Sequence, residues 1–323
     1  MTMIDRRMML LGSLALAACG KGSGGGGSAS DPVRMILPLS VGSTGDTVAR
    51  RLVEGLSKTL GRSIFVENLP GAGGIIGSEK LVHSEPDGNT LATVSSNYVV
   101  NPGIYPSMTF DTLKDITPIA VIGDSPQVLL VNPSLGVRDF KSLVALAKAK
   151  PGTLHYGSSG NGTALHLLGV KLSREAGINI VHVPYKGNAQ MLSDLIGGQV
   201  PMAFQSTTQA APYVKSGKLI PLGITSKDRS RLLTNVPTLA EQGLPGFDLS
   251  TWMAVIAPAK MDPAMTNKLN AAVNAALALP DVTDWLHKQD WRLTPMSSAQ
   301  AKQFLADEQA KYLQLVKQSG AKM

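Results

Sequence analysis

Met35-Ile36-Leu37-Pro38-Leu39-Ser40-Val41-Gly42-Ser43-Thr44-Gly45-Asp46 runs from an apolar strand-forming segment, through a glycine- and hydroxyl-rich turn, into a helix start. The arrangement returns at Leu154-His155-Tyr156-Gly157-Ser158-Ser159-Gly160-Asn161-Gly162-Thr163. In such a turn the glycines allow close backbone approach, the first helical N–H groups lack internal partners, and the helix dipole favours negative charge. Two such turns facing each other would clamp an anion. The candidate contacts are Ser40, Gly42, Ser43, Thr44, Gly45 and Asp46 from the first turn. From the second they are Ser158, Ser159, Gly160, Asn161, Gly162 and Thr163. Asp46 is included although a first-turn acid suits helix capping better than contact with an anion.

Around these turns the pattern alternates strand and helix. Val33 to Leu37 reads as a strand, and Asp46 to Leu60 as a helix with Val48, Leu52, Leu56 and Leu60 on one face. Ser63 to Val66 is the next strand, followed by Gly71, Gly73, Gly74 and Gly77, a helix through Leu81 and Val82, and a strand at Thr90 to Val94. The cycle recurs with strands at Val128 to Val131, Leu154 to Tyr156 and Ile180 to Val183, and with helices at Ser142 to Lys148 and Ala164 to Ala176. Met191 to Ile196 (helix), Met202 to Phe204, Leu219 to Thr225 and Trp252 to Ala257 (strands) follow. Two late helices are expected, Asp262 to Leu279 and Ser298 to Lys317. This predicts an α/β protein of two lobes, each a mostly parallel sheet flanked by helices. The expected division is 31–125 with 253–323 as lobe 1 and 126–252 as lobe 2, the chain crossing near Ser125 and near Trp252 with a ligand cleft between.

The amino-terminal segment reads as an address. Arg6 and Arg7 precede the apolar run Met8 to Leu16, too short to span a bilayer, and Leu16-Ala17-Ala18-Cys19 resembles the lipobox of bacterial lipoproteins. Residues 1–18 are therefore expected to be a signal peptide, Cys19 to carry lipid, and 19–30, rich in glycine and serine, to be a flexible tether. Export by the general secretory route is expected, or by the twin-arginine route if the Arg6-Arg7 pair serves as its signal. Cys19 is the single cysteine, which excludes intrachain disulfides and cysteine-based zinc or redox motifs.

The formal charge of +7 is spread without a basic run and with few interleaved aromatics, which argues against nucleic acid. The five histidines show no metal-ligand spacing, so no metal is expected. There is no G-x-S-x-G, no H-E-x-x-H and no P-loop, and the Gly71 to Gly77 run lacks dinucleotide-binding spacing, so neither catalysis nor a cofactor is expected. His166 better suits a structural hydrogen bond. Lys186 stands equally for ligand contact or for holding its turn.

Several motifs in order resemble one family: Pro38 to Asp46; Val66-Glu67-Asn68 with Gly71 to Gly77; Pro86-Asp87-Gly88; Asn101-Pro102 with Tyr105; and Tyr156 to Thr163 with His166. His182-Val183-Pro184-Tyr185-Lys186-Gly187, Val236-Pro237-Thr238, Gly243 to Phe247 and Trp252 continue the series. Together they resemble the Bug-type extracytoplasmic solute receptors of tripartite tricarboxylate transporters. The resemblance implies a two-lobed periplasmic-binding-protein (Venus flytrap, type II-like) fold, a monomer that binds a small carboxylate (a di- or tricarboxylate or an aromatic acid) through the two turns, and transporter membrane components as partners. Departures lie at Ser43, where glycine is frequent, and at Pro201 and Gln205, where relatives commonly carry aspartates. Gln205, at a strand end in lobe 2, joins the candidate contacts because its amide can donate where aspartate only accepts. The other readings are a ligand-sensing lipoprotein and a tethered hydrolase.

Overall fold

The computed structural model describes residues 32–321. The expected signal peptide, the expected lipid attachment at Cys19 and the expected tether fall on residues outside those described. The chain begins with β1 (Val33–Leu37), α1 (Thr44–Leu60), β2 (Ile64–Asn68), α2 (Ile75–Val82), β3 (Thr90–Ser95), α3 (Asn97–Ile104) and β4 (Ile116–Ser125). It continues with β5 (Gln127–Val131), α4 (Phe140–Ala149), β6 (Leu154–Ser158), α5 (Ala164–Glu175), β7 (Ile180–Pro184), α6 (Asn188–Ile196), β8 (Met202–Ser206), α7 (Thr207–Lys215) and β9 (Ile220–Ile224). It then returns through β10 (Thr251–Pro258), α8 (Pro263–Leu277), α9 (Pro280–Lys288) and α10 (Ser298–Ser319).

Two five-stranded sheets result, ordered β2-β1-β3-β10-β4 and β7-β6-β8-β5-β9. In each, four strands share a direction and one is reversed. β10 is antiparallel to both of its neighbours, and so is β5. The reversed strands are the ones adjoining the crossings, β5 just after the first and β10 just after the second. The crossings lie side by side, with Thr251 paired to Ser125. Gln127 Nε2 donates to Thr251 Oγ1 (3.0 Å) and to the carbonyls of Ser125 (3.2 Å) and Pro126 (3.1 Å).

Strand alternation sorts the apolar side chains. Val33, Met35 and Leu37 enter one core with Val48, Leu52 and Leu56 of α1. Ile36 faces the opposite side of the sheet and joins a second core. That second core takes in Leu305, Tyr312 and Val316 of α10, Trp252, and the interior of the other sheet, so apolar packing is continuous between the sheets.

The expected helix from Asp262 to Leu279 is α8, capped by Asp262, and α9, absent from the sequence reading, follows directly behind it. Pro280 disfavours helical backbone in the residue before it, and Leu279 is accordingly extended (φ −63°, ψ 129°), starting α9 anew. β4, α3 and α7, absent from the sequence reading, complete the architecture. The Gly71 to Gly77 run is explained by packing: a Cβ on Gly77 would stand 2.8 Å from the Leu69 carbonyl oxygen.

Candidate functional site

The first turn is held from inside. Ser43 is the N-cap of α1, its hydroxyl accepting from Asp46 N (3.2 Å). The Asp46 side chain is buried and accepts from Gly42 N (2.9 Å), Asn68 Nδ2 (2.8 Å) and Arg50 Nε (3.1 Å). Burial alone would raise its carboxyl pKa, but the bonds from Asn68, Gly42 and Arg50 hold it below the usual carboxylate value. Asp46 thus stays ionised as the internal anchor of the turn and consumes the Gly42 amide.

The second turn has a corresponding anchor made of rings. Thr163 is the N-cap of α5, accepting from His166 N (3.4 Å) while its hydroxyl donates to the Gly160 carbonyl (2.8 Å). His166 Nδ1 accepts from Gly162 N (3.1 Å), and its ring stacks on His182 at 3.8 Å between centroids. Ser158 Oγ lies 2.6 Å from His182 Nε2 and accepts from Gly160 N (3.1 Å). Burial, with His182 adding to it, depresses His166 to about 4; burial likewise depresses His182 to about 4. Both rings are neutral at pH 7, which leaves Nδ1 of His166 able to accept.

A cavity of about 330 Å³ opens where the strands of both sheets end. Ser43, Thr44, Gly45, Ser159, Thr163 and Gln205 line it. A second cavity of about 400 Å³ adjoins it and is lined by Gly160, Asn161, Gly162 and Lys186. The two share Asn97, Ser159 and Thr163 as common walls. Four expected contacts, Ser40, Gly42, Asp46 and Ser158, line neither. Asp46 and Ser158 are turned into their anchors, Gly42 serves Asp46, and Ser40 is exposed at the outer side of the turn.

Sequence reasoning missed several lining groups. Ser95 ends β3, and Ser96 and Asn97 lead from it into α3 as Ser43 to Gly45 lead into α1, so the strand-to-helix signal existed there in weaker form. Asn188 and Gln209 carry no local signal; they enter through tertiary packing, with Gln205 Nε2 donating to Asn188 Oδ1 (3.1 Å) and Asn188 Nδ2 to Gln209 Oε1 (2.7 Å). Trp291 arrives from the connection after α9.

The electrostatics are set by backbone. Residues at the N-terminal ends of α1, α3, α5, α6 and α7 all line the main cavity, so five helix dipoles present their positive ends to it. Among the described residues, no ionisable side chain lines it. The backbone N–H groups of Thr44 and Gly45 on one side, and of Ala164 and Leu165 on the other, find no acceptor among the described residues. Four donors from two helix starts can receive a carboxylate. Among the described residues there is no cluster of three or more His, Cys, Asp or Glu able to hold a metal ion, and no helix is long and apolar enough to cross a membrane.

Comparison with known proteins agrees with this geometry. Residues 48–321 match the family model described as tripartite tricarboxylate transporter family receptor. Protein BugT of Bordetella pertussis is 35% identical over 294 residues, covering 90% of each chain. The structure of periplasmic binding protein BugD superposes with a TM-score of 0.77 at 28% identity, covering 90% of this chain and 99% of that one. Rpa4515 of R. palustris, solved with adipate, gives a TM-score of 0.80 at 30% identity, covering 90% of this chain and 98% of that one. The two-lobed fold is thus that of periplasmic binding proteins, and the protein belongs to the tripartite tricarboxylate transporter family receptors, a family of binding proteins and not of enzymes.

Proposed function

We propose that the protein is an extracytoplasmic, lipid-anchored receptor that captures a small carboxylate between its lobes, residues 31–125 with 253–323 and residues 126–252, and delivers it to the membrane components of a tripartite tricarboxylate-type transporter. The observation that carries this reading is the set of four acceptor-less N–H groups at Thr44, Gly45, Ala164 and Leu165, contributed equally by the two lobes to one uncharged cavity. A carboxylate there accepts from both helix starts at once, so its binding favours the state in which the lobes meet. The adipate bound by Rpa4515 supports a carboxylate as the ligand class. Lipobox-like Leu16 to Cys19 supports the anchor: the full-length protein made in a Gram-negative host is expected in the membrane fraction, and Cys19→Ala as precursor or as soluble protein.

The site can be tested by deleting donors without disturbing the helices. Thr44 and Ala164 are the first helical residues of α1 and α5, and the residues before them are extended (Ser43 φ −68°, ψ 160°; Thr163 φ −69°, ψ 158°). Proline is tolerated at both positions; at Ala164 it removes little but the N–H, and at Thr44 it removes the N–H together with the side-chain hydroxyl, which Thr44→Val, keeping the N–H, measures by itself. Thr44→Pro and Ala164→Pro are each expected to weaken carboxylate binding by about 1.5–3 kcal/mol, the range for hydrogen bonds to a charged group. Isothermal titration reads the affinity, and unchanged values for both folded variants would place the ligand elsewhere.

A further inference from the structure

The lining of the main cavity narrows the ligand beyond its carboxylate. Beside the polar Ser125, Gln127 and Thr251, the side-chain lining includes the apolar Leu39, Leu165, Trp252, Met253 and Trp291. Trp252 is fixed from behind, its Nε1 donating to Glu308 Oε2 (2.8 Å) and its ring meeting Phe304 edge-on at 5.3 Å. Trp291 is only 3% exposed, and its indole N–H has no acceptor among the described residues.

The polar end of the cavity is neutral too. The Gln205 carbonyl oxygen accepts from Ser206 N (3.0 Å) and Asn188 Nδ2 (3.3 Å), and the Gln209 carbonyl oxygen accepts from Asn188. Amide N–H groups are what Gln205 and Gln209 have left to offer, and these suit a hydroxyl, carbonyl or ether oxygen on the ligand. A second carboxylate desolvated here would meet no cation. The nearby cation, Lys186, lines the adjoining cavity together with Tyr105 and Tyr185.

Resting on the carboxylate-receptor reading, we propose that the preferred ligand is a monocarboxylate with a flat apolar body, of the hydroxyaryl-acid class. Its carboxylate meets the helix starts of α1 and α5, its ring lies against Trp291, Trp252 and Met253, and its far oxygen faces the amides of Gln205 and Gln209. The volume of about 330 Å³, near the lower end of the roughly 300–1,000 Å³ usual for small-molecule sites, fits a ligand of one ring. In this arrangement Lys186 attracts the anion from outside but does not hold it.

The test is titration of the purified protein with benzoate, 4-hydroxybenzoate, benzamide, malate, adipate and citrate, followed by calorimetry and by tryptophan emission, on wild type and Lys186→Met. The expected result is 4-hydroxybenzoate or benzoate binding at least tenfold more tightly than malate, adipate or citrate, with a change in tryptophan emission, and an affinity within twofold in Lys186→Met. Tightest binding of an aliphatic di- or tricarboxylate, weakened more than tenfold by Lys186→Met, would overturn the aryl class and leave the carboxylate receptor standing. Benzamide binding as tightly as benzoate would overturn the carboxylate reading itself, as would failure of all five acids to bind.

Discussion

Replacing His166 by glutamine isolates the acid sensitivity of the ring pair beneath the second turn. The His166 imidazole is 5% exposed, stacked on His182 and close to Tyr156, and burial with the neighbouring His182 holds it down to about 4, against an ordinary value of 6.5. Because the folded-state value is depressed, the unfolded chain takes up a proton that the folded protein refuses. The neutral ring's contribution to stability is complete above about pH 6.5 and is lost progressively as pH falls toward 4. A shift of this size costs about 2 kcal/mol at pH 5 and about 3 kcal/mol once the pH is below both values. His166→Gln keeps an oxygen able to accept from Gly162 N–H but cannot titrate. Urea unfolding at pH 7.5 and pH 5 should show wild type losing about 2 kcal/mol more than the variant between the two conditions, at near-equal stability at pH 7.5. If wild type and variant lose the same amount, His166 is not held neutral by its surroundings and the account of the turn's anchor fails.

Three further substitutions probe other parts of the argument. Asp290 is buried with φ +59° and accepts from Thr207 Oγ1 (2.6 Å), Ser230 Oγ (2.5 Å) and Arg231 N (2.9 Å), pinning the return chain to the second sheet's elements; Asp290→Ala should cost about 3–5 kcal/mol in urea unfolding, Asp290→Asn less, and a loss under about 1 kcal/mol would contradict the pin. Gly162 has φ +71°, and a Cβ there would stand 2.7 Å from Ile104 Cδ1, so Gly162→Ala should destabilise by about 1–3 kcal/mol and be only partly rescued by Ile104→Ala, which relieves the clash but not the backbone; full rescue would show that the backbone is unstrained. Gln205→Asp puts a carboxylate beside the anion and removes the donor to Asn188, so calorimetry should show carboxylate binding weakened by about 1–3 kcal/mol, and equal affinity would mean residue 205 does not face the ligand.

Much of the fold was legible in the sequence because its signals are local and repeat. Apolar strands lead through glycine and hydroxyl residues into amphipathic helices at Leu37 to Asp46 and again at Tyr156 to Thr163. The cavity-lining Ser43, Thr44, Gly45, Ser159 and Thr163 came from the same signals. What composition does not encode is direction. Ser158 and Ser159 are neighbours of one type, yet strand geometry turns the first toward His182 and leaves the second at the cavity. That Asp46 suits its helix start better than an anion was legible, but its partner Asn68, 22 residues on, was not. Trp291 was illegible for another reason: one residue in an irregular connection after α9, it reaches the cavity only because the chain returns to the first sheet through β10.

The pairing of the two crossings constrains how the lobes can part. Two separate strings would allow swivel, shear and translation, whereas Ser125 and Thr251, held in register and tied to Gln127, form a single flat strap. A strap bends easily across its width, but sliding one edge past the other breaks the bonds that make it. Were the lobes to part, this strap would favour bending about one axis and would bring the helix starts of α1 and α5 back to the same registration whatever lies between them. The chassis treats all guests alike, and discrimination falls to the side chains that line the seat.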